Sequence, residues 1–96
     1  MSMVRLAVAV IGMAAASTVM AQSGADLVKS KGCLNCHAVS TKKVGPAFKD
    51  IAAKYKGQAD AGAKLAGELK EGKGHPAKIA GSDADIKAMV DYVLAQ

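Results

Sequence analysis

Ile86, Met89, Val90, Val93 and Leu94 fall at i, i+3, i+4, i+7 and i+8, an apolar stripe that predicts an amphipathic helix at the C-terminal end of the chain. Ser82 followed by Asp85 marks its start, in the manner of a capping box with Asp in place of Glu. A second helix is predicted from Phe48, Ile51, Ala52 and Tyr55, spaced i, i+3, i+4 and i+7, with Gly57 ending it. A third runs from Asp60 to Glu71, with Ala61, Leu65 and Leu69 four residues apart and Gly72 as its stop. Ser23-Gly24-Ala25-Asp26 opens a shorter helix through Leu27 and Val28 to Lys31. Gly32 then admits two readings, a helix stop or a close approach of backbone to a neighbouring helix. Between these elements lie a polar loop (Ala38–Lys43), a turn (Val44–Ala47) and an irregular segment from Gly72 to Gly81. There is no strand-like alternation, repeat or low-complexity tract. The pattern predicts an all-α protein of about four short helices.

The first residues belong to another pattern. A short charged start (Met1–Arg5) precedes an unbroken apolar and small-residue run from Leu6 to Ser17, and Val19-Met20-Ala21 resembles a cleavage site. This is the form of a secretory signal peptide covering residues 1–21, and the run is too short for a comfortable membrane span. Residues 22–96 are then the domain, with export to the periplasm expected. Without the leader the chain carries twelve lysines against eight Asp plus Glu, a formal +4, and Met89 as its sole methionine. Its aromatic residues are Phe48, Tyr55 and Tyr92. So short a chain is near the lower limit for a self-sufficient core, which a large apolar cofactor would supplement.

Cys33-Leu34-Asn35-Cys36-His37 names that cofactor. It reads C-x-x-C-H, the attachment signature of a c-type haem. On one helical turn these positions share a face, so Cys33 and Cys36 can each form a thioether with a haem vinyl while His37 supplies the proximal iron–nitrogen bond. A thiol–disulfide C-x-x-C normally sits in a βαβ context, which this chain lacks. A structural zinc would usually need a second ligand pair, and only His75 is spare. Bacterial c-type haem attachment takes place outside the inner membrane, which agrees with the leader.

With these residues in view the chain resembles the small bacterial class I monohaem cytochromes c of the periplasmic electron-carrier type. The matching stretches are Lys31–Ala38, Val44–Tyr55 (Val-Gly-Pro-Ala-Phe-Lys-Asp-Ile-Ala-Ala-Lys-Tyr) and Ile86–Leu94. The resemblance implies the class I cytochrome c fold around one covalent haem c, with Cys33 and Cys36 as thioether residues and His37 as proximal ligand. It implies that the Pro46 carbonyl accepts the ring N–H of His37 and that Tyr92 packs across the N-terminal helix. Phe48, Ile51, Leu65, Leu69, Val90 and Leu94 are expected to be core.

One departure from the family pattern matters. Its members usually hold the sixth iron site with a methionine in the loop before the last helix, and here that loop has none. Met89 lies on the apolar face of the final helix and reads as core. The loop offers His75, followed by Pro76, as the expected metal ligand, with Lys73 and Lys78 as lesser candidates and a solvated loop histidine as the plain alternative. Two nitrogen ligands would lower the potential relative to a histidine–methionine pair. The function expected is a one-electron carrier cycling Fe(III)/Fe(II), not an enzyme. Alternatives are a haem with an open or labile sixth site that binds or senses small ligands, and a cytochrome subunit of a larger redox enzyme. Expected partners are periplasmic or membrane-bound redox proteins with acidic docking patches, steered by lysines such as Lys42, Lys43, Lys73 and Lys78. No nucleic acid and no stable membrane insertion are expected, and a carrier this small is expected to be monomeric.

Overall fold

A computed structural model describes residues 23–96, together with Gly12. The expected leader and its cleavage point therefore lie outside the described residues, Gly12 apart. The elements are α1 (Gly24–Ser30), a 3-10 turn (Cys33–Asn35), α2 (Phe48–Lys54), α3 (Ala61–Glu71) and α4 (Asp83–Leu94), with no strand among the described residues. None of these helices is long and apolar enough to cross a membrane.

The strongest apolar stripe makes the hub. α4 packs against α1, α2 and α3, which meet through it. Ile86, Met89 and Val90 are buried there with Leu27 and Val28 from α1 and Phe48 from α2. Full burial of such a side chain is worth about 1.5–3 kcal/mol. Met89 is thus core packing, as its position in the stripe predicts. Leu65 and Leu94, also expected in the core, are only half-buried and stand outside the central cluster. For Leu65 the reason is that α3 packs on α4 alone, so much of its girth is uncovered. Leu94 borders an open cleft of about 570 Å³ between the ends of α2 and α4.

The helix ends follow local chemistry. Ser23 Oγ accepts the Asp26 amide at 3.2 Å, and Ser82 Oγ accepts that of Asp85 at 3.1 Å, so each hydroxyl caps a helix that has aspartate in its first turn. Asp60, predicted as the first helical residue of α3, instead precedes it as N-cap without a side-chain cap bond. At the other end Lys73 N–H donates to the Glu68 carbonyl at 2.9 Å and Gly72 N–H to that of Leu69 at 3.3 Å. These two bonds form a Schellman motif, with Gly72 in the left-handed region at φ 74°.

Of the two readings of Gly32, the structure takes the helix stop: φ is 77°, and the nearest atom to a Cβ there would be Asn35 Nδ2. The close helix approach occurs at Gly24 instead. A Cβ on Gly24 would overlap the Ala88 carbonyl and lie 2.7 Å from Tyr92 Cβ, so α1 and α4 cross backbone to backbone.

Candidate haem-binding site

The C-x-x-C-H segment forms a single tight turn. Cys36 and His37 amides both donate to the Cys33 carbonyl, at 3.2 and 3.0 Å, which brings the three site residues onto one turn, 3-10 at its start rather than purely α-helical. All three are half-buried. Burial pushes the Cys33 thiol up, against a smaller opposing effect of a backbone hydrogen bond. Burial of this kind makes a thiol less reactive than the low-pKa thiols of redox-active sites. Among the described residues there is no group of three or more His, Cys, Asp or Glu placed to hold a metal ion together.

His37 is fixed by the segment that follows it. Gly45 N–H donates to the Cys36 carbonyl at 2.7 Å, and Phe48 N–H to that of Ala38 at 2.9 Å, folding residues 38–48 back on the motif. His37 Nδ1 lies 2.6 Å from the Pro46 carbonyl. A carbonyl can only accept, so Nδ1 is the donor, which leaves Nε2 as the ring nitrogen that can ligate a metal. Phe48 stacks on the ring with centroids 5.4 Å apart and planes at 24°. Gly45 closes the other approach: a Cβ there would overlap the ring, with Nδ1 at 2.8 Å. Lys43 Nζ adds a further tie to the Leu34 carbonyl at 3.0 Å.

His75 is brought to the same place from the α3–α4 loop. That loop leaves α3 through the Schellman turn and returns where Ile79 N–H donates to the Leu69 carbonyl at 3.0 Å. A Cβ on Gly72 would lie 2.9 Å from Lys78 N, so only glycine lets the returning strand of the loop pass. His75 Nδ1 donates to the Lys73 carbonyl at 3.0 Å, leaving Nε2 free here as well. The His37 and His75 rings have centroids 6.3 Å apart and planes at 40°.

The donor set suits a haem: two cysteines on the turn and imidazoles with free Nε2 atoms. Partly buried apolar side chains flank the core, among them Leu34, Val39, Ile51, Leu69 and Ile79, surface that a porphyrin can cover. The open cleft beside Leu94 contains none of these site residues. Sequence reasoning missed the contacts of Gly45 and Phe48 with His37, and the Lys73 carbonyl behind His75. Gly45-Pro46 beside a predicted helix start was the available signal for the first of these.

Four helices around a C-x-x-C-H turn are the architecture of a small class I monohaem cytochrome c. The family model for cytochrome c matches residues 21–96, and the chain belongs to that family of electron-transport haem proteins, with one covalently bound haem c. It is 48% identical over 81 residues to cytochrome c-552 of Nitrosomonas europaea, covering 77% of this chain and 79% of that one. It is 41% identical over 99 residues to cytochrome c-551 of Pseudomonas aeruginosa, covering 92% and 95%. The crystal structure of wild-type Nitrosomonas europaea cytochrome c552 superposes with a TM-score of 0.67 at 49% identity, over 74% of this chain and 96% of that one.

Proposed function

We propose that this protein is a periplasmic one-electron carrier, not an enzyme, whose haem is held by Cys33 and Cys36 and ligated by His37 and His75. The observation that carries this reading is the pairing of the two imidazoles. Taking the metal–imidazole bond as about 2.0–2.1 Å, as for zinc, and adding about 1.1 Å to the ring centre, two rings flanking one metal stand roughly 6.2–6.4 Å apart. The observed separation is 6.3 Å. Both rings have Nδ1 occupied by a carbonyl and Nε2 available. Met89, the sole methionine outside the expected leader, is buried in α4 and serves the core.

The haem supplies the Fe(III)/Fe(II) couple. The residues supply the rest. Cys33 and Cys36 prevent loss of the cofactor, and the Pro46 carbonyl holds the His37 proton so that the ring cannot turn. With His37 and His75 both holding the iron, no substrate would need to bind at the metal. Replacing the family's usual methionine with imidazole lowers the potential, because methionine ligation raises it. The carrier then serves a lower-potential step.

Docking falls to the lysine-rich surface near the motif and the His75 loop. Lys42, Lys43, Lys73 and Lys78 are all exposed, and Val44 beside the first two is 84% exposed. An exposed apolar residue flanked in the chain by lysines suits a transient complex with a redox protein bearing an acidic patch. Export follows from the leader at residues 1–21, and the carrier acts as a monomer.

Absorption and magnetic spectra of the holoprotein test the ligation. A low-spin ferric haem without a methionine–iron charge-transfer band is expected, turning high-spin in His75→Ala. A methionine band in the parent protein, or an unchanged spectrum in the variant, would refute it.

A further inference from the structure

The two histidines are held in different ways. The carbonyl that fixes His37 comes from Pro46, nine residues on, in a segment sewn to the motif by the Gly45–Cys36 and Phe48–Ala38 backbone bonds. Gly45 and Phe48 also close on the ring itself. Turning His37 away would break its hydrogen bond and disturb a buried aromatic.

His75 has no such frame. The carbonyl that fixes it belongs to Lys73, two residues back in the same loop. Residues 73–78 are exposed throughout, and the loop joins the body through Lys73 N–H on Glu68, Ile79 N–H on Leu69 and the pass of Ala77–Lys78 over Gly72, while His75 N–H itself makes only a local turn bond to the Gly72 carbonyl at 3.0 Å. A bond whose two partners ride on one loop survives when that loop moves. A bond to a separate segment does not. Displacing His75 therefore costs the protein little beyond the metal bond itself.

Building on the bis-histidine reading, we infer that His75 is a releasable ligand, and that its loop gives a neutral diatomic molecule access to the sixth position while His37 stays bound. In the exchange the Nε2–iron bond breaks and the imidazole departs neutral with its lone pair. The incoming molecule donates a lone pair in its place, and neither a proton nor an electron changes hands. A ligand that prefers one oxidation state draws the couple toward that state, so binding to the reduced protein raises the potential. The carrier would thereby respond to a dissolved gas.

Carbon monoxide is the probe, mixed rapidly with the reduced holoprotein without denaturant. Binding is expected with an observed rate that levels off as carbon monoxide rises, the plateau being the rate of His75 release. In His75→Ala the rate should stay linear in carbon monoxide. With the released form at roughly 0.1–10% of the population, affinity in the variant should be about 10–1000-fold tighter. If the parent protein refuses carbon monoxide while His75→Ala takes it, the release is disproved and the bis-histidine ligation stands. A parent rate that is linear and matches the variant also overturns it, because the site is then already open. If His75→Ala keeps the parent's low-spin spectrum in both oxidation states, the ligation fails and the inference goes with it.

Discussion

Gly24 and Tyr92 mark the point where α1 and α4 cross, and no side chain fits between them: a Cβ on Gly24 would stand 2.7 Å from Tyr92 Cβ and overlap the Ala88 carbonyl. The obstacle is backbone and a Cβ, neither of which can swing aside. Gly24→Ala adds helix propensity worth up to about 1 kcal/mol, but overpacking typically costs about 1–3 kcal/mol. The steric effect should win. A lower denaturant midpoint at unchanged m-value is expected, and an equal or higher midpoint would show that the helices can part without loss.

The cap of α4 should matter more than its exposure suggests, since every other helix packs on α4. Ser82→Ala removes the acceptor of the Asp85 amide and should cost about 1 kcal/mol. In a domain of this size that is a fall of about 4–8 °C in melting temperature. Ser82→Asp keeps an acceptor at the cap and should recover most of the loss, which a thermal melt of both variants would check.

How much of this was legible beforehand depended on whether a feature repeats along the chain. The α4 stripe announced itself five times over, and Ile86, Met89 and Val90 are buried as it predicts. The C-x-x-C-H spacing specified a turn, and the turn is there. Single contacts between distant segments carried no such periodic trace. Gly24 sits in a plain helix start, and nothing local says that α4 will cross it. Gly32 looked equally fit for that role, yet its left-handed φ serves only to end α1. Leu65 and Leu94 satisfied helical periodicity but lie where no second helix covers them fully, a fact of assembly rather than of pattern. The facing of His37 and His75 across 38 positions of sequence was foreseeable only from chemistry, as a ligand lacking its usual partner.

Gly45 offers a direct test of how His37 is held. A methyl there would meet the ring, and the Gly45 amide is already committed to the Cys36 carbonyl at 2.7 Å. The ring must therefore shift, weakening its bond to Pro46. Loss of such a hydrogen bond costs about 0.5–1.5 kcal/mol, and the imidazole becomes a poorer donor to iron once its N–H is free. Gly45→Ala should lower thermal stability and raise the reduction potential together. Gly62→Ala is the control, because a Cβ there meets open space. It should leave the potential alone and, by helix propensity, stabilise by up to about 1 kcal/mol.

Charge steering can be apportioned among the four candidate lysines. Electrostatic guidance raises association rates by roughly 10–1000-fold, so four equal contributors would supply roughly 2–6-fold each. Lys42→Gln, Lys73→Gln and Lys78→Gln should each slow association with an acidic redox partner by that factor at low salt, with the difference vanishing at high salt. Lys43 keeps its charge while its ammonium donates to the Leu34 carbonyl at 3.0 Å, so Lys43→Gln should slow docking by the same factor and also loosen the loop. Stopped-flow electron transfer across a salt series would separate the two behaviours. Equal rates for all variants at low salt would place the docking surface elsewhere.

His75→Met asks whether the ligand at this position sets the potential. A thioether donates less to Fe(III) than an imidazole does, so the oxidised state loses stabilisation and the potential rises. Axial ligands span roughly 0.8 V across haem proteins, and a change on the order of 0.1 V upward is expected here. The loop should accept the residue, since position 75 is exposed and Gly74 beside it has open space. The Lys73 carbonyl loses its ring partner but remains free to meet water. A methionine–iron charge-transfer band should appear in the ferric variant alongside the higher potential. Redox titration and the near-infrared spectrum read the two effects separately, and a variant that gains neither would mean that residue 75 does not reach the iron.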